Sequence, residues 1–216
     1  MRQFFIIVIF SICLNAYSQN SYDSYYTNGE KYMQNGDCFQ ALTWFEKAYK
    51  INSDHANLCS NIGICFYKLG NMERAIHFFR KTIDVDSLFF TAYCGLADAY
   101  INTSIDSSFA VINRAIKLIL NNEQSVKNNF TVLYSNPIAL CYYNRANYYL
   151  KINNYNESMK DFNKSIELNP SNPIAFYSRG VLNYNLNNLN EACKDWQKAA
   201  DLGDLEAGKL ILQYCK

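Results

Sequence analysis

Small, large and polar positions recur along this chain at a fixed interval of 34 residues. Gly29 returns as Gly63, Gly36 as Gly70, Tyr32 as Phe66, Ala41 as Ala75 and Phe45 as Phe79. Nearer the C-terminus, Arg145 matches Arg179, Ala146 matches Gly180, Asn153 matches Asn187, Glu157 matches Glu191, Asp161 matches Asp195 and Phe162 matches Trp196. Ala97 and Tyr100 extend the series from Gly63 and Phe66. A period of this length predicts a stack of small supersecondary units, none of which buries its apolar face alone. Asn35-Gly36, Asn153-Asn154 and Asn187-Asn188 supply turn residues within the units. Pro137, Pro170 and Pro173 are expected between helices, where a missing N–H costs least.

A different pattern opens the chain. Arg2 precedes an apolar run of about 11 residues, Phe4 to Leu14, and Ala16-Tyr17-Ser18 follows with small residues at both key cleavage positions. Residues 1–18 are therefore expected to be a secretory signal peptide, with 19–216 as the mature chain. The run is too short to span a hydrocarbon core, which needs about 20 residues. Bulky Ile12 disfavours lipoprotein processing at Cys13. Export changes how the seven remaining cysteines read, because an oxidising compartment permits disulfides. None forms a C-x-x-C pair, so neither a zinc site nor a thioredoxin-type motif is indicated. Their odd number leaves at least one outside any intramolecular pairing, and most are expected to be small buried packing residues.

Composition narrows the class. Half of the chain is hydrophobic, 18% is charged and the formal net charge is +1. A core can form, and no basic surplus points to nucleic acid. Three Pro and eight Gly argue against a many-turned β protein and favour helices. Two His leave little room for a His-based catalytic or metal centre.

The period resembles the tetratricopeptide repeat family. That family's unit is two antiparallel helices with small residues at positions 8, 20 and 27, large apolar ones at 4, 7, 11 and 24, and Pro common at 32. The resemblance implies an all-α solenoid of five repeats, at 22–55, 56–89, 90–118, 139–172 and 173–206. An insert at 119–138 interrupts the register. It is expected to hold the extended last helix of repeat three and a loop, and it is a place where the stack could bend into 22–118 and 139–216 halves. The resemblance covers nearly all of the mature chain. Residues 204–216 are expected to form an amphipathic capping helix that uses Leu205, Leu210, Ile211 and Tyr214 to cover repeat five. The tail from Ala192 looks like the ending of exported tetratricopeptide proteins of Gram-negative bacteria. Cys193 and Cys215 would sit level on antiparallel helices there, as a candidate disulfide.

In a hairpin turning near position 15, residues whose positions sum to about 30 lie side by side. Arg145 with Asp161 and Arg179 with Asp195 satisfy this, which predicts one structural ion pair in each of the last two repeats.

Family members generally bind partner segments in a groove lined by their first helices. Here the groove positions include Tyr143, Asn144, Asn147, Tyr177, Ser178 and Tyr184, with Leu140, Leu150, Lys151, Ile174, Val181 and Asn185 beside them. In the first repeats they include Tyr26, Glu30, Met33, Asn61, Ile64 and Tyr67. Tyrosine supplies rigid contact area and asparagine supplies backbone-directed hydrogen bonds. Position 5 is Tyr26, Ser60, Cys94, Tyr143 and Tyr177, so the basic carboxylate clamp of chaperone-binding members is missing. No phosphate loop, G-x-S-x-G or H-E-x-x-H is present. Neither cofactor nor metal is expected. His55 and His77 read as solvated helix or turn residues. Four N-x-S/T sequons matter only in a eukaryotic secretory pathway.

The resulting expectation is a non-catalytic protein-interaction adaptor or scaffold of the cell envelope: periplasmic, outer-membrane-associated or secreted. Its partner would be a protein or peptide segment, with no nucleic acid and no transmembrane segment in the mature chain. The alternatives left open are a carbohydrate- or peptidoglycan-associated binding protein and an accessory subunit of an envelope enzyme.

Overall fold

The structure is a computed structural model. It describes the backbone of residues 2–101, 103–121 and 132–215, and the side chains of those from 18 onward except 132–136. Among the described residues there are eleven α-helices and no strand. The fold is all-α, of the helical-hairpin solenoid class, and the chain divides into two compact units, Met1–Tyr100 and Ile101–Lys216.

The first unit holds α1 (Arg2–Gln34), α2 (Cys38–Ile51), α3 (Ala56–Lys68), α4 (Met72–Val85) and α5 (Phe90–Tyr100). Helices adjacent in sequence pack as pairs, α1 on α2 and α3 on α4, while α2 against α3 and α4 against α5 join one pair to the next. The chain reverses at Gly36 (φ 81°) and Gly70 (φ 79°), a left-handed conformation that glycine adopts without a Cβ penalty. Asp37 and Asn71 then cap α2 and α4, accepting from the backbone N–H of Gln40 and Arg74. Fully buried Phe45 and Phe79 fill the space between helices. A Cβ on Gly63 would lie 2.8 Å from the Phe79 ring, and one on Gly95 would lie 2.6 Å from it. Absent side chains on α3 and α5 thus make the slot for one phenyl ring on α4.

The second unit holds α6 (Ile105–Asn121), α7 (Val132–Lys151), α8 (Tyr155–Leu168), α9 (Pro173–Asn185), α10 (Leu189–Asp201) and α11 (Leu205–Tyr214). Here the within-pair turns use Asn153 (φ 57°) and Asn187 (φ 61°) instead of glycine. Asparagine is among the few residues that tolerate this conformation. Trp196, 1% exposed, occupies the space left by Gly180, whose added Cβ would meet the indole at 2.6 Å. Leu210, Ile211 and Tyr214 of α11 pack on the Trp196 cluster, and Ala207 is fully buried. Cys193 and Cys215 are disulfide-bonded, with Cα atoms 5.7 Å apart.

Several expectations change. Pro137 lies inside α7, not between helices, because α7 starts at Val132, seven residues before the expected 139. Past the first turn a proline removes the bond to the carbonyl four residues back and its ring crowds that carbonyl. Pro173 opens α9, where its N–H would have had no helical partner. The capping helix spans Leu205–Tyr214, with Asp204 as its N-cap, not 204–216. Leu205 is 83% exposed and covers nothing, since it stands on the outer face of the first turn. The boundary between the units falls between the two helices of the third repeat, not at the insert. Of the insert, 122–131 lie outside the described residues, as do the side chains of the expected signal peptide up to 17. The backbone of 2–18 is helical and continuous with the first helix of repeat one. Among the described residues no helix is long and apolar enough to cross a membrane.

Candidate functional site

The second unit is held by two copies of one polar device. Arg145 on α7 donates from Nε to Asp161 Oδ2 (2.6 Å) and from Nη2 to Oδ1 (2.8 Å). Its remaining Nη1 donates to Asn113 Oδ1 on α6 at 3.1 Å. Arg179 on α9 repeats the arrangement. Its Nε and Nη2 grip Asp195 at 2.9 and 2.6 Å, and Nη1 donates to Asn163 Oδ1 on α8 at 2.7 Å. Asn183 Nδ2 adds a bond to Asp195 Oδ2 at 3.1 Å. Both carboxylates are 7% exposed, so every charge-assisted bond matters to the cost of burying them. Burial works against the Arg145 charge, but the bonds to Asp161 outweigh it and hold the guanidinium above its usual range. Each arginine therefore ties its own hairpin to the helix before it. The hairpin rule finds the two aspartates and misses Asn113 and Asn163, because these lie in the preceding repeat.

Along the same helices, Tyr143, Asn144 and Asn147 of α7 and Tyr177 and Ser178 of α9 are all half-buried. Tyr143 Oη and Ser178 Oγ stand 3.4 Å apart, which places the tyrosine of one repeat beside the serine of the next. The Tyr143 ring rests on Phe162, centroids 6.0 Å apart, and Tyr177 packs against the Trp196 cluster. These rings are thus held in place by the core beneath them, each with part of its surface outward. Tyr184 has a different setting. Its ring lies 4.8 Å from Tyr214 of α11 and 5.8 Å from Trp196, so it packs against the cap while keeping 40% exposure.

In the first unit, Asn61 Nδ2 donates to Tyr26 Oη at 3.2 Å. Burial, followed by the hydrogen bond to Glu30, pushes the Tyr26 phenol well above its ordinary value. Tyr22, one turn earlier, is 5% exposed, and burial pushes its phenol up to about 12. Glu30, Met33, Ile64 and Tyr67 are half-buried. His55 is the N-cap of α3, its Nδ1 accepting from Leu58 N at 3.4 Å, and its ring lies 5.5 Å from Tyr22 and 5.7 Å from Tyr26. It is therefore a capping and packing residue as well as a turn residue. His77 is exposed on α4 with its edge on Phe78. An open depression of about 950 Å³ borders α4, with Asp54, His77, Arg80, Lys81 and Asp84 among its lining residues. Both signs of charge meet there, and no nucleophile is paired with a base. Among the described residues no group of three or more His, Cys, Asp or Glu side chains is placed to hold a metal ion.

Comparison with known proteins bears on the repeat itself. Residues 56–87 and 139–172 each match a model described as Tetratricopeptide repeat. No curated protein sequence matches the chain. Among solved structures it resembles Pseudomonas aeruginosa pilF, with TM-score 0.71 and 18% identity over 87% of this chain and 78% of that one. It also resembles TTC0263, a thermophilic TPR protein of Thermus thermophilus, with TM-score 0.64 and 17% identity over 90% and 98% of the two chains. PilW, a type IV pilus biogenesis factor, aligns with TM-score 0.66 and 14% identity over 84% of this chain and 77% of that one. At these identities the likeness concerns the fold. With its 34-residue period, its packed helix pairs and two segments that match the repeat itself, the chain carries tetratricopeptide repeats and has the fold that they build.

Proposed function

We propose that the protein is a non-catalytic adaptor of the cell envelope that docks a protein segment on the α7–α9 face, with residues 1–18 acting as its export signal. The observation that carries this reading is the 3.4 Å approach of Tyr143 Oη to Ser178 Oγ. It lines up half-exposed tyrosine, asparagine and serine side chains across two successive repeats, on rings fixed from below by Phe162 and Trp196. Preset aromatic surface beside amide donors favours capture of an extended or helical segment at low entropic cost. The tetratricopeptide fold supports a protein-interaction role. The leader-like N-terminus supports export, and so does the likeness to a type IV pilus biogenesis factor. Tyr184, engaged by the cap, serves as the edge of the surface and not its centre.

The test is affinity capture from native envelope extract with the mature chain 19–216, alongside a Tyr143→Ala/Tyr177→Ala variant shown to be folded by helical circular dichroism and cooperative melting. A specific protein recovered by the parent and lost by the variant supports the assignment. Equal recovery by both removes the α7–α9 face as the site. Recovery of glycan alone replaces the adaptor reading with a carbohydrate-binding one.

A further inference from the structure

Among the described side chains, five buried cysteines lie outside the disulfide: Cys38, Cys59, Cys65, Cys94 and Cys141. Two of them meet across a repeat boundary. Cys38 is the first residue of α2 and Cys65 lies in the last turn of α3; they are 4% and 0% exposed. The two helices pack against each other and are joined by a short connection, so the start of one lies level with the end of the other. Both thiols are thus buried at the same end of one packed helix pair. Burial first, and the neighbouring Cys38 thiol second, push the Cys65 thiol up to about 12. Cys59 stands at the opposite end of the same helix pair, where its Sγ donates to the Ser53 carbonyl at 3.4 Å. It is thus turned into its own loop.

We propose that Cys38 and Cys65 are a disulfide-forming pair that covalently joins the first hairpin to the second when the chain meets a disulfide oxidant. The chain already carries one such bond, Cys193–Cys215, between α10 and α11. The pairing proceeds by thiol–disulfide exchange. The Cys38 thiolate attacks one sulfur of an external disulfide R–S–S–R and expels RS⁻. The Cys65 thiolate then attacks the Cys38 sulfur of the mixed disulfide and expels the second RS⁻. Two protein thiols are oxidised by two electrons, one external disulfide is reduced, and the two thiol protons end on the two released RSH molecules. Because both thiols are buried, exchange takes place during local opening of the α2–α3 contact. The bond would hold together a contact that is otherwise made by side-chain packing.

The test uses the full chain with Cys193–Cys215 formed, incubated in glutathione mixtures of rising oxidised fraction. Samples are quenched in acid, alkylated under denaturing conditions, digested without reduction and mapped by mass spectrometry. The expected result is a cross-linked peptide pair carrying Cys38 and Cys65, with Cys59 still alkylated. The midpoint of thermal unfolding should rise by several degrees and fall back on reduction. Cys38→Ser and Cys65→Ser should each abolish the cross-link and the shift, while Cys59→Ser keeps both. The peptide map of the parent decides the matter even if a variant fails to fold. Recovery of Cys38 and Cys65 as alkylated thiols at ratios where Cys193–Cys215 stays oxidised would overturn the proposal. So would pairing of either with Cys59 or Cys94, or arrest at a glutathione adduct. The chemistry is read in vitro, so its failure and the failure of the envelope reading are separate results.

Discussion

The two units solve one packing problem with different side chains. In the first unit, positions 7 and 23 of repeats one and two hold Asn28 with Trp44 and Ile62 with Phe78. In the second, the same slots hold Arg145 with Asp161 and Arg179 with Asp195. The aromatic solution joins neighbours by ring contacts, such as Phe66 on Phe78 at 5.7 Å and Tyr49 edge-on to Phe78 at 5.6 Å. The ionic solution joins them through a third hydrogen bond from each arginine to an asparagine one helix back. The turns inside the repeats differ in parallel, with Gly36 and Gly70 in one unit and Asn153 and Asn187 in the other, while Gly203 turns the chain into the cap. The 34-residue scaffold thus dictates where groups must meet. It leaves open whether dispersion or charge makes the contact.

The sharpest way to break this comparison is to remove one member of an ion pair. Asp195→Ala leaves Arg179 half-buried without its carboxylate and is expected to cost about 3–5 kcal/mol in denaturant unfolding. Replacing both partners of the other pair, Arg145→Leu with Asp161→Leu, imitates the first unit and should cost far less than Asp161→Ala alone. If the double replacement is the worse of the two, the ionic device is not interchangeable with the apolar one. Reduction of Cys193–Cys215 comes next. The bond closes a loop across a sequence separation of 22. Its loss should lower stability by about 3 kcal/mol and speed hydrogen exchange in α11 first.

A smaller effect tests the shared ring slot. Gly180→Ala drives a Cβ into Trp196 and Gly63→Ala drives one into Phe79. Each should cost about 1–3 kcal/mol by thermal unfolding. The smallest concerns the turns. Gly36→Ala places an L side chain at φ 81° and is expected to cost about 1–2 kcal/mol. Asn153→Gly, at φ 57°, should be neutral or slightly stabilising in the same measurement. A destabilising Asn153→Gly would show that the asparagine side chain contributes more than turn geometry, for instance through the 2.9 Å bond it accepts from Tyr155 Oη.

Along the chain itself, the 34-residue spacing marked the repeats and their turn residues, and the family resemblance it carries implied the all-α class and the partners within one hairpin or its immediate cap. Arg145 with Asp161 was legible as an expected pair, and Cys193 with Cys215 as a candidate whose bond only the packed structure shows. The α7–α9 face is legible as a row of positions, but its centre is not. Tertiary structure alone joined Tyr184 to Tyr214 and Trp196, and drew Asn113 and Asn163 to the arginines. It also admitted Pro137 into a helix that starts early, and brought Cys38 and Cys65 to the same end of a packed helix pair. The physical reason is one of range. A periodic sequence encodes the contacts each unit makes with itself, because they recur at the same offset every time. Contacts between units depend on how far a particular ring, guanidinium or thiol reaches across the gap, and that is decided only when neighbouring helices are packed.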